Sequence, residues 1–94
     1  MLEIAAFANA KAGRREVTMR QLAAMEAQPA TFSAYWLAGS HAVLGNRDAA
    51  FAALERAVLA RETQVVFLKV EGQFASLRGD PRYDALLKRI GLAK

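Results

Sequence analysis

Apolar and polar residues alternate along the chain with the spacing of amphipathic α-helices. Two such stretches open the chain, one on each side of Gly13: Leu2, Ile4, Ala5, Phe7, Ala8 and Ala12, then Val17, Met19, Leu22, Ala23 and Met25. Pro29 ends the second stretch, because the residue before a proline is pushed out of the α region. Residues 1–28 are therefore predicted to form two helices joined by a tight glycine turn.

The same pattern recurs in the middle of the chain. Thr31 or Ser33 is expected to cap a third helix, and Gly45 provides the left-handed residue that ends it. Asp48 then falls in the first turn of a fourth helix, where an acidic side chain suits the helix dipole. The spacing of apolar residues gives this fourth helix a buried face formed by Ala50, Phe51, Leu54, Ala57 and Val58.

An internal repeat relates the two halves. A shift of 32 residues, the separation of Gly13 and Gly45, also matches Ala6 with Ala38, Ala10 with Ala42, Arg15 with Arg47, and Leu22 with Leu54. Alanine is abundant, so the register of the two turn glycines carries more weight than any single alanine match. A helix–turn–helix unit repeated with a period in the thirties is typical of helical solenoids.

Small residues and a glycine stand at fixed offsets in the second half of this repeat: Leu37-Ala38, His41, Leu44-Gly45-Asn46, Asp48-Ala49-Ala50, Leu54 and Ala57. The pattern resembles the tetratricopeptide repeat (TPR). In that family small residues of the two helices, here Ala38 and Ala50, pack together, and a glycine, here Gly45, makes the turn. His41 stands where the family usually has tyrosine, and Leu54 where it usually has an aromatic residue.

The last third of the chain carries a second resemblance. Its residues are Val65-Val66-Phe67-Leu68-Lys69-Val70, Phe74, Leu77-Arg78, Asp80-Pro81-Arg82-Tyr83 and Leu86 to Leu92. They look like a segment that closes TPR regions in many bacterial transcriptional regulators, adenylate cyclases and serine/threonine kinases, although Gly72 replaces the usual proline. Asp80 is expected to cap the last helix, with Pro81 at its first position.

The predicted fold class is all-α. Antiparallel helix pairs are expected to stack as a short TPR-like α-solenoid of about five to seven helices. We expect a single domain over residues 1–94. Its first repeat covers about residues 1–30, its second about 31–62, and a degenerate C-terminal capping unit about 63–92.

The resemblance implies a protein–protein interaction scaffold without catalytic activity. It suggests the C-terminal docking or sensory part of a bacterial regulator, acting in the cytoplasm. In the family the first helix of each pair lines a concave face. Here that face would bind a partner through Phe7, Lys11, Phe32, Tyr35 and Val43. Because this face is mostly apolar, an apolar or mixed helix or an extended peptide is the expected partner.

Two exposed features need a partner on this interpretation. Tyr35 and Trp36 are adjacent in a helix and point about 100° apart, so one is expected to pack between helices and the other to lie at the surface. The first helix is apolar around much of its circumference and lacks a preceding polar capping helix, which repeat stacks need. The chain is therefore expected either to end a longer protein or to self-associate through its N-terminal helix.

Composition narrows the chemistry. The chain has no cysteine, which excludes disulfides and thiolate metal sites, and its single histidine, His41, is expected to be a packed core residue. No phosphate-binding loop or metal-ligand spacing is present, so no cofactor and no enzymatic activity are expected. Residues 1–10 make a poor signal peptide because they lack a basic region and carry Glu3. No apolar run approaches the ~20 residues that span a bilayer.

Nucleic-acid binding is the alternative function. The formal net charge is +4, and Val17, Leu22, Trp36 and Gly39 match the spacing of a DNA-binding helix-turn-helix over residues 17–39. In that motif Glu26, Gln28 and Ser33 would occupy positions that must be hydrophobic, and burying an unpaired Glu there would cost several kcal/mol. The arginines are also dispersed along the chain, as on an ordinary solvated surface. Nucleic acid is therefore an unlikely partner.

Overall fold

The computed structural model describes residues 2–28, 31–68 and 71–91. Pro29, Lys69, Val70 and Leu92, to which the sequence predictions refer, lie outside the described residues. In the part that is described, all regular secondary structure is helical, so the predicted all-α fold class is confirmed. None of the helices described is both long and apolar enough to cross a membrane.

Five α-helices and two short 3₁₀ helices make up the described fold. The α-helices are α1 (Leu2–Lys11), α2 (Arg15–Glu26), α3 (Ala34–Leu44), α4 (Arg47–Leu59) and α5 (Pro81–Arg89). The 3₁₀ helices, Thr63–Phe67 and Gly72–Leu77, lie between α4 and α5 and are called here the first and second 3₁₀ segments. Val65 and Val66 lose rotamer freedom in a helix and Gly72 is a weak helix former, which is consistent with the absence of a long α-helix in this region.

The 32-residue repeat is visible in the helix bounds. The shift carries α1 onto residues 34–43 and α2 onto residues 47–58, each within one residue of the observed α3 and α4. Gly13 and Gly45 have positive φ angles of 79° and 84°, which glycine adopts without steric cost. The small residues matched by the shift, such as Ala6 with Ala38, are buried in both hairpins.

The two hairpins pack with equivalent helices side by side. At the start of α1, the Glu3 carboxylate accepts a hydrogen bond from the Ser33 amide at 3.4 Å. One turn further along, the Phe7 ring packs edge-on against the Trp36 ring, with their centroids 5.8 Å apart. Because contacts advance together along both helices, α1 and α3 run in the same direction, and α3 lies at the centre of the molecule.

Helix α5 packs beside α4 through paired charges. The Arg82 guanidinium lies 4.4 Å from the centroid of the Phe51 ring and donates to the Asp48 carboxylate at 2.9 Å. Near the other end, Arg89 pairs with Glu55. As predicted, Asp80 caps α5 by accepting from the Arg82 amide at 2.9 Å. The side chain of Arg82, followed by this amide bond, lowers the pKa of Asp80.

The N-terminus of α3 is capped by a residue that follows α4. The Glu62 carboxylate accepts hydrogen bonds from the Ser33 hydroxyl at 2.7 Å, the Ala34 amide at 3.0 Å and the Tyr35 amide at 3.2 Å. Amide groups in the first turn of a helix have no acceptor within the helix, and the helix dipole favours an anion there. Glu62 therefore ties the chain after α4 to the central helix.

Replacing Glu62 by alanine is expected to lower the free energy of unfolding by about 1–2 kcal/mol, because three donors lose a charged acceptor. Chemical denaturation followed by circular dichroism measures this change. Glu55→Ala is the matched control, since the pair of Glu55 with Arg89 is exposed and is expected to contribute less than about 1 kcal/mol. Equal stability of the two variants would contradict the capping role of Glu62.

Ser40 is expected to be a destabilising residue of α3. Its side chain is fully buried, and its hydroxyl has no hydrogen-bond partner among the described residues. The equivalent residue of α1 is Ala8. Ser40→Ala removes an unpaired buried group and raises helix propensity, so a gain in stability of about 1 kcal/mol is expected.

The control is Ser33→Ala, which removes a hydroxyl that donates to Glu62 and accepts from the Trp36 amide. That variant is expected to lose about 1 kcal/mol of stability. Thermal unfolding of both variants against the parent chain measures the difference. A loss of stability in Ser40→Ala would mean that its hydroxyl is satisfied in solution.

Candidate partner-binding groove

An open groove lies where α1, α3 and the second 3₁₀ segment meet. Its volume is about 410 Å³, and it is lined by Phe7, Lys11, Ala42, Val43, Gly72, Gln73 and Ser76. Three of the five residues predicted to bind a partner, Phe7, Lys11 and Val43, lie together in it. The other walls come from a segment that follows α1 by more than 60 residues in the chain, so only the folded protein assembles this surface.

Gly39 determines how closely the three walls approach. A Cβ atom at Gly39 would lie 3.4 Å from Cγ of Gln73 and 3.7 Å from the Phe7 ring. Both neighbours of α3 therefore come close to its backbone at this point, which a large side chain would prevent. The second 3₁₀ segment is held in place by Ser76, whose hydroxyl donates to the Ala42 carbonyl at 3.0 Å.

Lys11 supplies the charge of the groove. Its ammonium lies 5.7 Å from the centroid of the Phe7 ring, a favourable cation–π geometry. Among the residues described as lining the groove, Lys11 alone is charged. No carboxylate of the described residues lies within ion-pair distance of it. The groove is thus apolar along Phe7 and Val43 and positive at one end.

Tyr35 corrects one sequence prediction. Its side chain is only 4% exposed, and its ring packs against Phe74 with the centroids 5.1 Å apart. Its hydroxyl donates to the Glu71 carboxylate. Burial first, and then the bond to Glu71, raise the pKa of Tyr35, so the hydroxyl remains a donor. The prediction that Tyr35 lines the partner-binding face is wrong, because its ring fills the space under the second 3₁₀ segment.

The two other aromatic residues near α3 are partly exposed. Trp36 is the half-buried member of the Tyr35–Trp36 pair, and one edge of its ring is covered by Phe7. Phe32 is half-buried, packs against the edge of the core and does not line the groove. Of the predicted set, Phe32 therefore lies apart from Phe7, Lys11 and Val43.

Sequence reasoning missed Gly72, Gln73 and Ser76. A signal for them exists in the spacing of the turn glycines, since Gly79 follows Gly45 by 34 residues. A shift of that length places the second 3₁₀ segment opposite positions 38–43 of α3, and Ser76 indeed bonds Ala42 with that separation. The missed residues are those that the degenerate third unit contributes.

His41 lies in the core, as expected. It is 3% exposed, and its Nε2 atom lies 3.4 Å from the Glu26 carboxylate without the geometry of a hydrogen bond. Arg56 approaches the same carboxylate at 3.6 Å. The described part of the chain contains no group of three or more His, Cys, Asp or Glu residues placed to hold a metal ion.

The geometry of α2 and α3 differs from that of a DNA-binding helix-turn-helix. That motif joins its helices by a turn of about 3–4 residues, whereas residues 27–33 separate α2 from α3. Two of the nearby arginines bond within the fold. Arg14 donates to the Asn9 side chain at 3.2 Å, and Arg15 donates to the Leu44 carbonyl at 2.8 Å.

The outer face of α1 is exposed and apolar. Ile4 is 47% exposed, and Ala5, Ala8 and Ala12 are also exposed. At the equivalent positions of α3 the 32-residue shift places Leu37 and Ser40, among others, and both are buried next to the first hairpin. The first hairpin therefore covers a face of α3 whose counterpart on α1 is open.

The described residues thus present an amphipathic groove built from three segments and a separate apolar face on α1. Neither surface gathers a nucleophile and a base in contact, and the groove's hydroxyl, on Ser76, bonds the backbone of α3. Comparison of the chain with models of protein families, with curated proteins and with solved structures finds no match.

Proposed function

We propose that this chain is a protein–protein interaction module that holds a peptide segment of its partner in the groove between α1, α3 and the second 3₁₀ segment. The observation that carries the proposal is the meeting of Phe7, Lys11 and Val43 in one open groove. In helical repeat proteins the binding surface is formed where equivalent helices of successive units lie side by side. The parallel packing of α1 and α3 is of that kind.

The TPR-like pattern of residues 37–57 and the capping segment that follows support a role as the C-terminal docking part of a bacterial regulator in the cytoplasm. On this proposal the chain itself catalyses no reaction. Phe7 and Val43 give the groove its apolar surface, which suits an apolar or mixed helix or an extended peptide. The long connection between α2 and α3 gives no support to the nucleic-acid alternative.

A substitution in the groove tests the proposal. Peptides are first selected from a random display library on the immobilised chain, and their affinities are measured by fluorescence anisotropy. Val43→Asp places a charge on the apolar wall and is expected to weaken binding at least about tenfold. Val17→Asp is the matched control, because Val17 is exposed on α2 outside the groove and its substitution should leave affinity unchanged.

Two results would overturn the proposal. The first is a library selection that yields no binding peptide. The second is a set of peptides whose affinity is the same for Val43→Asp as for the parent chain. Circular dichroism of both variants establishes that each keeps its helical fold.

Association between two copies through α1 is a second proposal, supported by the open counterpart of the covered face of α3. In an ultracentrifuge the chain is expected to sediment as a dimer at high concentration, and Ile4→Glu is expected to shift it to the monomer. Leu59→Glu is the control, since Leu59 is 74% exposed on α4. A soluble monomer at high concentration, or equal effects of the two substitutions, would contradict association through α1.

A further inference from the structure

The groove contains a cation that the fold itself does not neutralise. Lys11 is the last residue of α1 and is exposed, and no described carboxylate lies within ion-pair distance of its ammonium. Most of the carboxylates described elsewhere are engaged: Glu26, Asp48, Glu55 and Asp80 in ion pairs, and Glu62 in the cap of α3. An unneutralised charge beside apolar side chains indicates the chemistry of what binds there.

The position of Lys11 makes a pair with an incoming carboxylate favourable. Its ammonium lies over the Phe7 ring, so one side of the charge faces apolar carbon instead of water. A carboxylate arriving on the open side would form a pair in a region of reduced dielectric constant, where the attraction exceeds that of a fully exposed pair. Val43 and Ala42, on the opposite wall, would contact an apolar side chain next to that carboxylate.

The other polar groups of the groove already have partners within the fold. The Gln73 amide donates to Glu71 at 3.2 Å, and the Ser76 hydroxyl donates to the Ala42 carbonyl. Glu71 directly precedes Gly72, which lines the groove, so a negative charge stands on the side formed by the second 3₁₀ segment. A partner carboxylate is therefore attracted to the α1 side, at Lys11, and repelled from the side of Glu71.

We propose that the groove selects a peptide segment in which an Asp or Glu stands next to an apolar residue, with the carboxylate paired to Lys11 and the apolar side chain against Val43. This inference rests on the proposed function, because it names the chemistry of the peptide that the groove holds. The net charge of +4 favours the approach of an acidic segment, but the local pair determines its register in the groove.

Charge reversal at Lys11 tests the inference. Random peptide libraries are selected separately on the parent chain and on Lys11→Glu. The parent chain is expected to enrich Asp or Glu at one fixed position beside an apolar residue, and Lys11→Glu to enrich Lys or Arg at that position. For an individual acidic peptide, exchange of its carboxylate for the amide should weaken binding to the parent chain about tenfold and have little effect on Lys11→Glu.

Lys88→Glu is the matched control. Lys88 is exposed on α5 and does not line the groove, and its reversal changes the net charge by the same amount. An acidic preference that weakens equally in Lys11→Glu and Lys88→Glu would mean attraction by net charge alone and would overturn the inference. Lys11 is on the surface, so its replacement should leave the fold intact, which circular dichroism checks.

The selections separate this inference from the function on which it rests. If no peptide is enriched on the parent chain, both fail. If peptides are enriched and lose affinity with Val43→Asp, yet carry no acidic residue and bind Lys11→Glu equally well, the groove binds peptides and the pairing with Lys11 is wrong. Loss of the acidic preference in Lys11→Glu alone, with its reversal to a basic one, supports the inference.

Discussion

The rest of the structure depends on the burial of α3 on almost every side. A helix that is apolar all round is stable only when other elements cover it, and α3 meets this condition by contacting α1, α4 and the second 3₁₀ segment. Its small residues, Ala38, Gly39 and Ala42, let these neighbours approach its backbone closely. The same small residues leave room for the groove, because α1 and the second 3₁₀ segment can stand on either side of Gly39.

The tail of the chain completes the surroundings of α3 through two carboxylates. Glu62 binds the first turn of α3, and Glu71 accepts from the Tyr35 hydroxyl one residue further along. A 3₁₀ helix has poorer backbone hydrogen bonds than an α-helix, so the second 3₁₀ segment depends on such side-chain contacts for its position. One wall of the groove is consequently as rigid as the bonds that Glu71 and Ser76 make with α3.

The features predicted from the sequence are those set by local chemistry. Gly13 and Gly45 mark the turns because left-handed backbone favours glycine, and the spacing of apolar residues gives α1 to α4. The choice between Tyr35 and Trp36 was not accessible in this way. Two neighbours on a helix point in different directions, and which is buried depends on Phe74, almost 40 residues later in the chain. The groove was half predicted for the same reason, since its third wall returns from the tail.

The paired charges between α4 and α5 fix how far one helix can slide along the other. Arg82 and Arg89 lie about two helical turns apart, as do Asp48 and Glu55 on the facing helix. Each pair is exposed and contributes little free energy by itself. A displacement of α5 by one turn would break both pairs at once and move Arg82 away from the Phe51 ring. Two weak contacts at the correct interval thus discriminate between axial registers that apolar packing alone would leave nearly equal in energy.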